Sequence, residues 1–388
     1  MAKESLARAE KERWPILAIC YDFDKTLSPD DMQAQGYIQA VGQDVPEFWK
    51  RSNSLAENND MDQNLAYMYL MVTLAEGKVL FTRSQLASYG SKVQLFPGVD
   101  GWFERIRQYG ADFCVQIEHY IISSGLKEMI EGTGVAQAGA FKKIYASSFL
   151  YNENQVAVWP AQVVNYTNKT QFLFRIEKGV LDVNDAGIND FFPPEKIRVP
   201  FRNMIYIGDS DTDIPCMKLV NVHGGYSIGV YDVEKKDKTK VYKMMRDHRI
   251  KYYAPADYQE GSQLDALVKS IIRRTAANEL LEKEYYKCKG ECDAVTKQSN
   301  AEQQKKTELL IALENSKSFA RTHTVIKSMT EMTDWSQEEM CRMIDIAMAN
   351  RQVRYILTDM DVAAFYRKIL SNMHDWTKAA EQVRQIIE

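Results

Sequence analysis

Two aspartates two residues apart, Asp22 and Asp24, directly follow the apolar run Ile16–Tyr21. Aspartates at this spacing commonly cap a helix or satisfy a turn. At the end of a buried strand they also suit a nucleophile and a proton shuttle, because one carboxylate can attack while the other exchanges a proton. The motif alone leaves both interpretations open.

A second acidic cluster, which contains Asp209, Asp211 and Asp213, lies far along the chain after the apolar run Met204–Ile207. Hard cations such as Mg²⁺ are held by carboxylate oxygens together with water and substrate phosphate. In open α/β sheets, ligands bind beyond the carboxyl ends of neighbouring strands. The two clusters therefore predict a magnesium site formed by two strand ends.

A strand-to-turn segment lies between the two clusters, where Ser123, Ser124 and Gly125 follow the apolar residues Tyr120–Ile122. A helical pattern begins near Leu126. Hydroxyl groups and backbone N–H groups at a helix N-terminus stabilise phosphate oxygens. The same sequence also fits an ordinary turn between a strand and a helix.

Lys169 opens the helical pattern formed by Phe172, Leu173 and Ile176. A single lysine at such a position is normally a solvated surface residue.

In this order, the four motifs resemble those of the haloacid dehalogenase (HAD) superfamily of phosphohydrolases, over roughly residues 14–270. The resemblance implies that Asp22 is the nucleophile, that Asp24 is the general acid/base and that Lys169 neutralises charge at the nucleophile. It implies that Asp213 orients the water shell of the metal, with Asp211 as a helper. The expected phosphate-binding residues are Thr26, Ser123, Ser124, Gly125 and Lys169, and the expected Mg²⁺ ligands are Asp22, Asp24 through its backbone carbonyl, Asp209 and Asp213.

The reaction implied by the resemblance is Mg²⁺-dependent hydrolysis of a small phosphorylated metabolite through an aspartyl-phosphate on Asp22. Relatives that dehalogenate carbon lack the second aspartate and transport ATPases carry threonine there, so Asp24 favours phosphatase or phosphomutase chemistry. A phosphomutase or phosphotransferase uses the same aspartate pair and stays open. A third alternative is a module that senses a phosphorylated ligand and binds a partner through the C-terminal helices.

Composition restricts the class of protein. The net charge of −4 over 388 residues gives no argument for nucleic-acid binding. Residues 1–13 are charged, and the apolar run that follows is too short for a signal peptide or a membrane span. Six cysteines are scattered along the chain, which fits reduced thiols. We expect a cytoplasmic protein without a membrane partner.

The predicted fold class is α/β, with a Rossmann-like HAD core that contains a parallel sheet. The core is expected over 14–27 and 96–272, a helical cap insertion over 28–95 and a C-terminal α-helical accessory domain over 273–388. A cap after the first motif is similar to the phosphoserine phosphatase branch. Residues Asn58–Asp60 are predicted to cap the main helix of the insertion, whose periodic positions are Met61, Leu65, Met68, Tyr69 and Val72.

Three local predictions concern the remaining segments. A hairpin is expected to turn at Asn152–Gln155. The basic run that contains Lys235, Lys236, Lys238 and Lys240 is interpreted as a solvated loop or helix face rather than an anion site. In the C-terminal region, Ser336 with Glu339 predicts a capping box, and Asp361 is expected to cap a helix. These C-terminal helices could pair with a second copy of the chain or with a protein partner.

Overall fold

The computed structural model describes residues 14–235, 237–374 and 376–388. The charged start, residues 1–13, and Lys236 lie outside the described residues, so what the sequence suggests for them stays a prediction. The chain forms two compact units, Met1–Lys283 and Glu284–Glu388. The sequence-based limits of the core, the cap and the accessory domain also stay predictions.

The first unit contains a seven-stranded sheet with the strand order β4-β3-β2-β1-β5-β6-β7. Only the β3–β4 pair is antiparallel among the paired strands of the described residues. The predicted α/β class with a Rossmann-like parallel sheet is confirmed. The strands are β1 (Ile16–Tyr21), β2 (Gln116–Leu126), β3 (Lys143–Tyr151), β4 (Ala157–Gln162), β5 (Met204–Gly208), β6 (Tyr226–Tyr231) and β7 (Tyr252–Pro255).

Strand β1 lies at the centre of the sheet, and all six of its side chains are buried. Leu17, Ile19 and Tyr21 join the apolar cluster on one face, and the alternate residues join the cluster on the other face. Because both faces of a parallel sheet are covered, a central strand is apolar at every position. This explains the continuous apolar run that precedes Asp22.

The register of the three central strands brings the motifs to one edge of the sheet. Tyr21 is paired with Ile121 of β2 and with Ile207 of β5. The backbone N–H of Asp22 then donates to the carbonyl of Ile207 over 3.0 Å. The residues that follow each of these strands therefore meet at the carboxyl ends, as expected for an open α/β sheet.

The residues between β1 and β2 are mainly helical. The third helix of this segment begins at Gln63, and the carboxylate of Asp62 accepts hydrogen bonds from its first turn. The predicted caps, Asn58–Asp60, are wrong, because Asn58 still belongs to the preceding helix and Asp60 has a positive φ of 48°. The helices are α1 (Tyr37–Ala40), α2 (Val45–Asn58), α3 (Gln63–Ala75), α4 (Arg83–Gly90) and α5 (Val99–Asp112), and a 3₁₀ turn spans Met32–Gln35.

The predicted hairpin is present between β3 and β4. The side chain of Asn152 accepts from the backbone N–H groups of Asn154 and Val156 and so closes the turn. The other helices of the sheet-containing unit cover its two faces. They are α6 (Lys127–Gly132), α7 (Gly134–Gln137), α8 (Thr170–Lys178), α9 (Ile214–Val222) and α10 (Thr239–Arg246), with 3₁₀ turns at Ala186–Asn189, Pro194–Lys196, Phe201–Asn203 and Asp211–Asp213.

The second unit is helical and has its own apolar core. The predicted capping box of Ser336 and Glu339 is confirmed. The predicted cap Asp361 is wrong: Asp359 precedes the helix, and Asp361 lies in its first turn, where it contacts His323. The last helices are α11 (Gln263–Glu314), which runs through the limit between the units, α12 (Phe319–Thr330), α13 (Gln337–Ala349), α14 (Arg351–Tyr355), α15 (Met360–Asn372) and α16 (Lys378–Ile387).

Two general properties of the described residues complete the fold. None of the described helices combines the length and the apolar character that crossing a membrane requires. All six cysteines are free, and Cys288 and Cys292 are exposed on α11. Pairing of the C-terminal helices with another chain stays a prediction.

Candidate active site

A buried lysine joins the two acidic clusters. The Nζ atom of Lys169 lies 2.8 Å from Asp213 Oδ1 and 3.2 Å from Asp22 Oδ2. Lys169 and Asp213 are fully buried, and Asp22 is only 6% exposed. A buried ammonium group is stable when it is paired and hydrogen-bonded, which these two carboxylates provide. The fold therefore brings together three of the residues that the sequence analysis selected.

Helix α8 holds the lysine in this position. Lys169 is the residue immediately before the helix, and Phe172, Leu173 and Ile176 on its buried face pack into the core beside the sheet. Burial alone would lower the pKa of Lys169, but the charges of Asp213 and Asp22 outweigh it and raise the pKa above its ordinary value. Lys169 is therefore a permanent cation between the two carboxylates.

Asp213 is held on both carboxylate oxygens. Oδ1 accepts from Lys169 Nζ and from the hydroxyl group of Tyr206 at 2.9 Å. Oδ2 accepts from the backbone N–H and the hydroxyl group of Ser210 at 3.2 and 3.1 Å. Neighbouring Asp211 is exposed and does not line the cavity described below. These hydrogen bonds allow Asp213 to hold both Lys169 and the turn after β5 in place.

Carboxylate oxygens of Asp22, Asp209 and Asp213 lie within 4.8 Å of one another. Burial raises the pKa of Asp22 to about 7, with a further increase from Asp213 and an opposing effect of Lys169. Burial also raises the pKa of Asp209 to about 6, against the charge of Lys240. Crowded, buried carboxylates with oxygen donors match the ligand set that Mg²⁺ prefers. The residues therefore fit a magnesium ion.

Asp24 differs from Asp22 in its environment. Its Oδ1 accepts from the backbone N–H of Met32 at 2.9 Å. Burial, followed by the negative charges of Asp31 and Asp22, raises the pKa of Asp24 well above its ordinary value. A carboxyl group with a strongly raised pKa carries a proton near neutral pH, which suits a general acid.

The segment after β2 lies next to Asp24. A Cβ atom at Gly125 would be 2.3 Å from Met32 Cε and 3.0 Å from Asp24 Oδ2, so a larger residue would have to displace these side chains. The N–H of Gly125 donates to Ser123 Oγ at 3.1 Å and is not free, unlike the sequence expectation. The glycine therefore leaves open space beside Met32 and Asp24.

Two hydroxyl groups at the site are buried without a hydrogen-bond partner among the described residues. They are Ser124 Oγ and Thr26 Oγ1. A buried polar atom without a partner costs free energy, on the order of 1–3 kcal/mol. Both residues are among the predicted phosphate-binding positions. Ser124 lines the cavity described below, where a phosphate oxygen would satisfy its hydroxyl group, whereas Thr26 does not line that cavity.

A cavity of about 450 Å³ lies above these residues. Six of the predicted residues line it: Asp22, Asp24, Ser123, Ser124, Gly125 and Asp209. The lining does not include the predicted residues Thr26, Lys169 and Asp213. The other lining residues are Lys25, Asp31, Met61, Asp62, Gln63, Asn64, Asn165, Tyr166, Ser210, Thr212 and Lys240.

Lys240 and Tyr67 are among the residues at the site that were not selected from the sequence. Lys240, assigned to a solvated basic run, lies 3.4 Å from Asp209 Oδ2. Tyr67 of α3 donates its hydroxyl hydrogen to the carbonyl of Ser124 at 2.7 Å and so connects α3 to the segment after Ile122. Neither has a local sequence signal, because each contact joins segments that are distant along the chain.

Together, the fold and the site define a hydrolase with an α/β core and an aspartate cluster at the carboxyl ends of its strands. The family described as haloacid dehalogenase-like hydrolase matches this chain over residues 19–218. The protein belongs to the haloacid dehalogenase-like hydrolase family, and the resemblance noted from its motifs is confirmed.

Individual proteins with low sequence identity to this chain are also similar to it. A protein of Borreliella burgdorferi that bears the description "uncharacterized protein" is 28% identical over 282 residues, which cover 65% of this chain and 95% of that protein. A HAD family hydrolase from Salmonella enterica serovar Typhi has 16% identity and a TM-score of 0.45, covering 67% of this chain and 73% of the other. A probable phosphoserine phosphatase from Vibrio cholerae has 12% identity and a TM-score of 0.44, covering 70% and 69%.

Proposed function

We propose that this hydrolase is a Mg²⁺-dependent phosphatase that cleaves a small phosphomonoester through an aspartyl-phosphate on Asp22. The observation that carries the proposal is the contact of Lys169 Nζ with Asp22 Oδ2 at 3.2 Å, beside a second carboxyl group of raised pKa, Asp24. This arrangement gives one carboxylate that is fixed beside a cation and one carboxyl group that carries a proton. Those are the two groups that a double-displacement hydrolysis needs.

Asp22 is oriented for attack. Its Oδ1 accepts from the backbone N–H of Phe23 at 2.8 Å, and its Oδ2 faces Lys169. A carboxylate oxygen of Asp22 forms a bond to phosphorus while the bond between phosphorus and the alcohol oxygen breaks. The residues that hold the carboxylate remove much of the orientational freedom that the attack would otherwise lose.

Asp24 serves both halves of the reaction. In the first half, its carboxyl group gives a proton to the departing alcohol oxygen. In the second half, the resulting carboxylate takes a proton from water, whose oxygen bonds to phosphorus as the bond to Asp22 breaks. Asp24 then carries its proton again, and the products are the alcohol and inorganic phosphate. The raised pKa of Asp24 supports this role.

The negative charge on the phosphoryl oxygens is stabilised by cationic and hydrogen-bonding groups. The ammonium group of Lys169 provides a buried positive charge. The unpartnered hydroxyl group of Ser124, together with Ser123 and the space at Gly125, provides the phosphate seat. Asp22, Asp209 and the carbonyl of Asp24 would hold Mg²⁺, with Asp213 positioning the lysine and the turn; when bound, the ion supplies electrostatic stabilisation of the phosphoryl charge.

Phosphate release tests this proposal. The wild type is expected to release inorganic phosphate from p-nitrophenyl phosphate and from small phosphomonoesters when Mg²⁺ is present, and to stop when EDTA is added. Asp22→Asn removes the nucleophile at nearly constant volume and is expected to abolish turnover, whereas Asp211→Asn, an exposed neighbour of the site, serves as the matched control. Absence of release from every ester with an intact fold would contradict the proposal.

The same assay separates the alternatives that the sequence left open. Transfer of the phosphoryl group to a second hydroxyl compound without phosphate release would indicate a phosphomutase or phosphotransferase. Binding of a phosphorylated ligand without any transfer would indicate a sensing module. We further propose a cytoplasmic location, which the six free cysteines support.

A further inference from the structure

One wall of the cavity, formed by the start of α3 and the loop before Lys169, has a distinctive composition. Its residues are Asp62, Gln63 and Asn64 at the start of α3, and Asn165 and Tyr166 in the loop before Lys169. They contribute amide, hydroxyl and carboxylate groups, and none of them is an arginine or a lysine. The following inference rests on the proposed phosphatase function and specifies its substrate class.

Each lysine that lines the cavity, within the described part of the chain, is already close to a carboxylate. Lys25 Nζ lies 2.8 and 2.9 Å from the two oxygens of Asp31. Lys240 Nζ lies 3.4 Å from Asp209 Oδ2. A second anionic group on a substrate would therefore meet paired cations and would have to displace a carboxylate from one of them.

The N-terminus of α3 offers no seat for an anion either. A helix N-terminus normally attracts negative charge through its free N–H groups. Here Asp62 Oδ1 accepts from the N–H groups of Asn64 and Leu65 at 2.9 and 3.0 Å. The carboxylate of Asp62 thus occupies the position that a substrate carboxylate would need.

Hydrogen bonds fix this wall in place. Asn165 Nδ2 donates to Asp62 Oδ2 at 2.6 Å, and Asn64 Nδ2 donates to the carbonyl of Val164 at 2.9 Å. The wall therefore keeps Asp62 at the cavity, where it repels negative charge. Gln63 and Tyr166 also line the cavity and are exposed, so their amide and hydroxyl groups are accessible to a ligand.

We propose that the substrates are phosphomonoesters of small alcohols that are neutral and hydroxyl-rich or that carry an amine, and that esters with an additional carboxylate are disfavoured. Hydroxyl and ammonium groups can exchange their water contacts for the amide, hydroxyl and carboxylate groups of the wall. A substrate carboxylate would lose hydration beside Asp62 and, among the described residues that line the cavity, would meet only lysines that are already paired with carboxylates. Asp62 is the specificity-determining residue in this account, and Gln63 is a neighbouring position of the wall at which a charge can be introduced.

Two matched substrate pairs test the inference. Phosphoethanolamine is compared with O-phosphoserine, and glycerol 3-phosphate with 3-phosphoglycerate, because the carboxylate distinguishes the members of each pair. We expect kcat/KM to be at least about tenfold higher for the member without the carboxylate, as like-charge contacts in an enclosed site are costly. Equal values, or a preference for the carboxylates, would overturn the inference.

Variants of Gln63 show whether the wall causes the preference. Gln63→Arg introduces a cation into the wall and is expected to reduce each ratio at least about fivefold. Gln63→Met, which has similar length and no charge, is expected to leave the ratios within about twofold. If the kcat/KM ratios of Gln63→Arg equalled those of the wild type, the role of the wall would be overturned.

The outcome also separates the inference from the function on which it rests. Hydrolysis of all four esters and of p-nitrophenyl phosphate without discrimination would contradict the substrate class and leave the phosphatase intact. Hydrolysis of none of the five compounds would contradict both.

Discussion

Lys169 lies closer to Asp213 than to Asp22: its Nζ is 2.8 Å from Asp213 Oδ1 and 3.2 Å from Asp22 Oδ2. Asp213 also accepts from Tyr206 and Ser210, so it is held more firmly than Asp22. The lysine is thus anchored to a carboxylate that is fully engaged with the protein. This leaves Asp22 beside a fixed cation, with an oxygen available for reaction.

Replacement of Asp213, which anchors Lys169, should therefore destabilise the fold. Asp213→Asn leaves the Lys169 ammonium group buried with one charged partner instead of two, and we expect a loss of about 3–5 kcal/mol in the free energy of unfolding. Chemical denaturation measures this loss. Asp211→Asn changes an exposed residue of the same turn and should remain within about 0.5 kcal/mol of the wild type. Equal effects of the two variants would contradict the anchoring role.

The unpartnered hydroxyl group of Ser124 provides a second prediction. Because Oγ is buried without a hydrogen bond within the described residues, Ser124→Ala should leave the free energy of unfolding unchanged or raise it by up to about 1–3 kcal/mol. It should weaken the binding of phosphate, which we measure as an increase of about tenfold in the inhibition constant of inorganic phosphate. Ser147→Ala is the contrasting variant, since Ser147 Oγ donates to the carbonyl of Ser124 and accepts from Val164.

Ser147→Ala is expected to lower the free energy of unfolding by about 1 kcal/mol, because it removes buried hydrogen bonds. If Ser124→Ala destabilised the protein as much and left phosphate inhibition unchanged, the hydroxyl group would be structural.

Magnesium should stabilise the folded protein. An ion that binds only the folded state raises its stability as RT ln(1 + [ion]/Kd), so the melting temperature should increase with Mg²⁺ concentration. Asp209→Asn removes one charged ligand and should suppress that increase, while Asp211→Asn should retain it. A thermal melt without substrate makes the measurement independent of activity. An identical Mg²⁺ response in both variants would contradict the assignment of Asp209.

The buried His119 predicts how stability depends on pH. Its Nδ1 accepts from the hydroxyl group of Tyr21, its Nε2 faces the carbonyl of Phe103, and burial lowers its pKa to about 3. Below about pH 6.5 the unfolded chain gains a proton at this histidine that the folded protein excludes. The histidine therefore destabilises the wild type progressively as the pH falls from about 6.5 to 3.

We compare the wild type with His119→Gln, because the raised pKa values of Asp22 and Asp209 act in the opposite direction and are shared by both proteins. The wild type should lose stability relative to the variant by up to about 1.4 kcal/mol per pH unit over that range. Denaturation curves at pH 7, 6 and 5 measure the difference. A difference that does not change with pH would show that the histidine is protonated in the folded state.

The sequence alone predicted the features that depend on local patterns. The apolar run before Asp22 and the helical period after Lys169 reflect burial by neighbouring elements, which leaves a periodic signal. The prediction of where α3 begins was wrong, because several polar residues precede the helix and each could cap it. The structure identifies Asp62 as the cap, since its side chain accepts from the N–H groups of the first turn. Local periodicity therefore places an element better than it places the first residue of that element.

Contacts between distant segments were beyond sequence reasoning. Lys240 reaches Asp209 only because α10 follows β6 beside β5, and Tyr67 reaches Ser124 only when α3 packs above the sheet. A basic residue in a charged run gives the same local pattern whether it is solvated or lines a cavity. Residues such as these require tertiary structure, since their partners are dozens of positions away.

The location of the phosphoryl group tests the central claim most directly. Asp24→Asn keeps Asp22 and removes the group that activates water, so the second half of the reaction should slow by about 10²–10⁴-fold. With p-nitrophenyl phosphate, whose leaving group needs little protonation, phosphorylated protein should then accumulate. After acid quenching, mass spectrometry of the proteolytic peptides is expected to find the phosphoryl group on Asp22. A phosphoryl group on any other residue, or none during measurable turnover, would contradict the account.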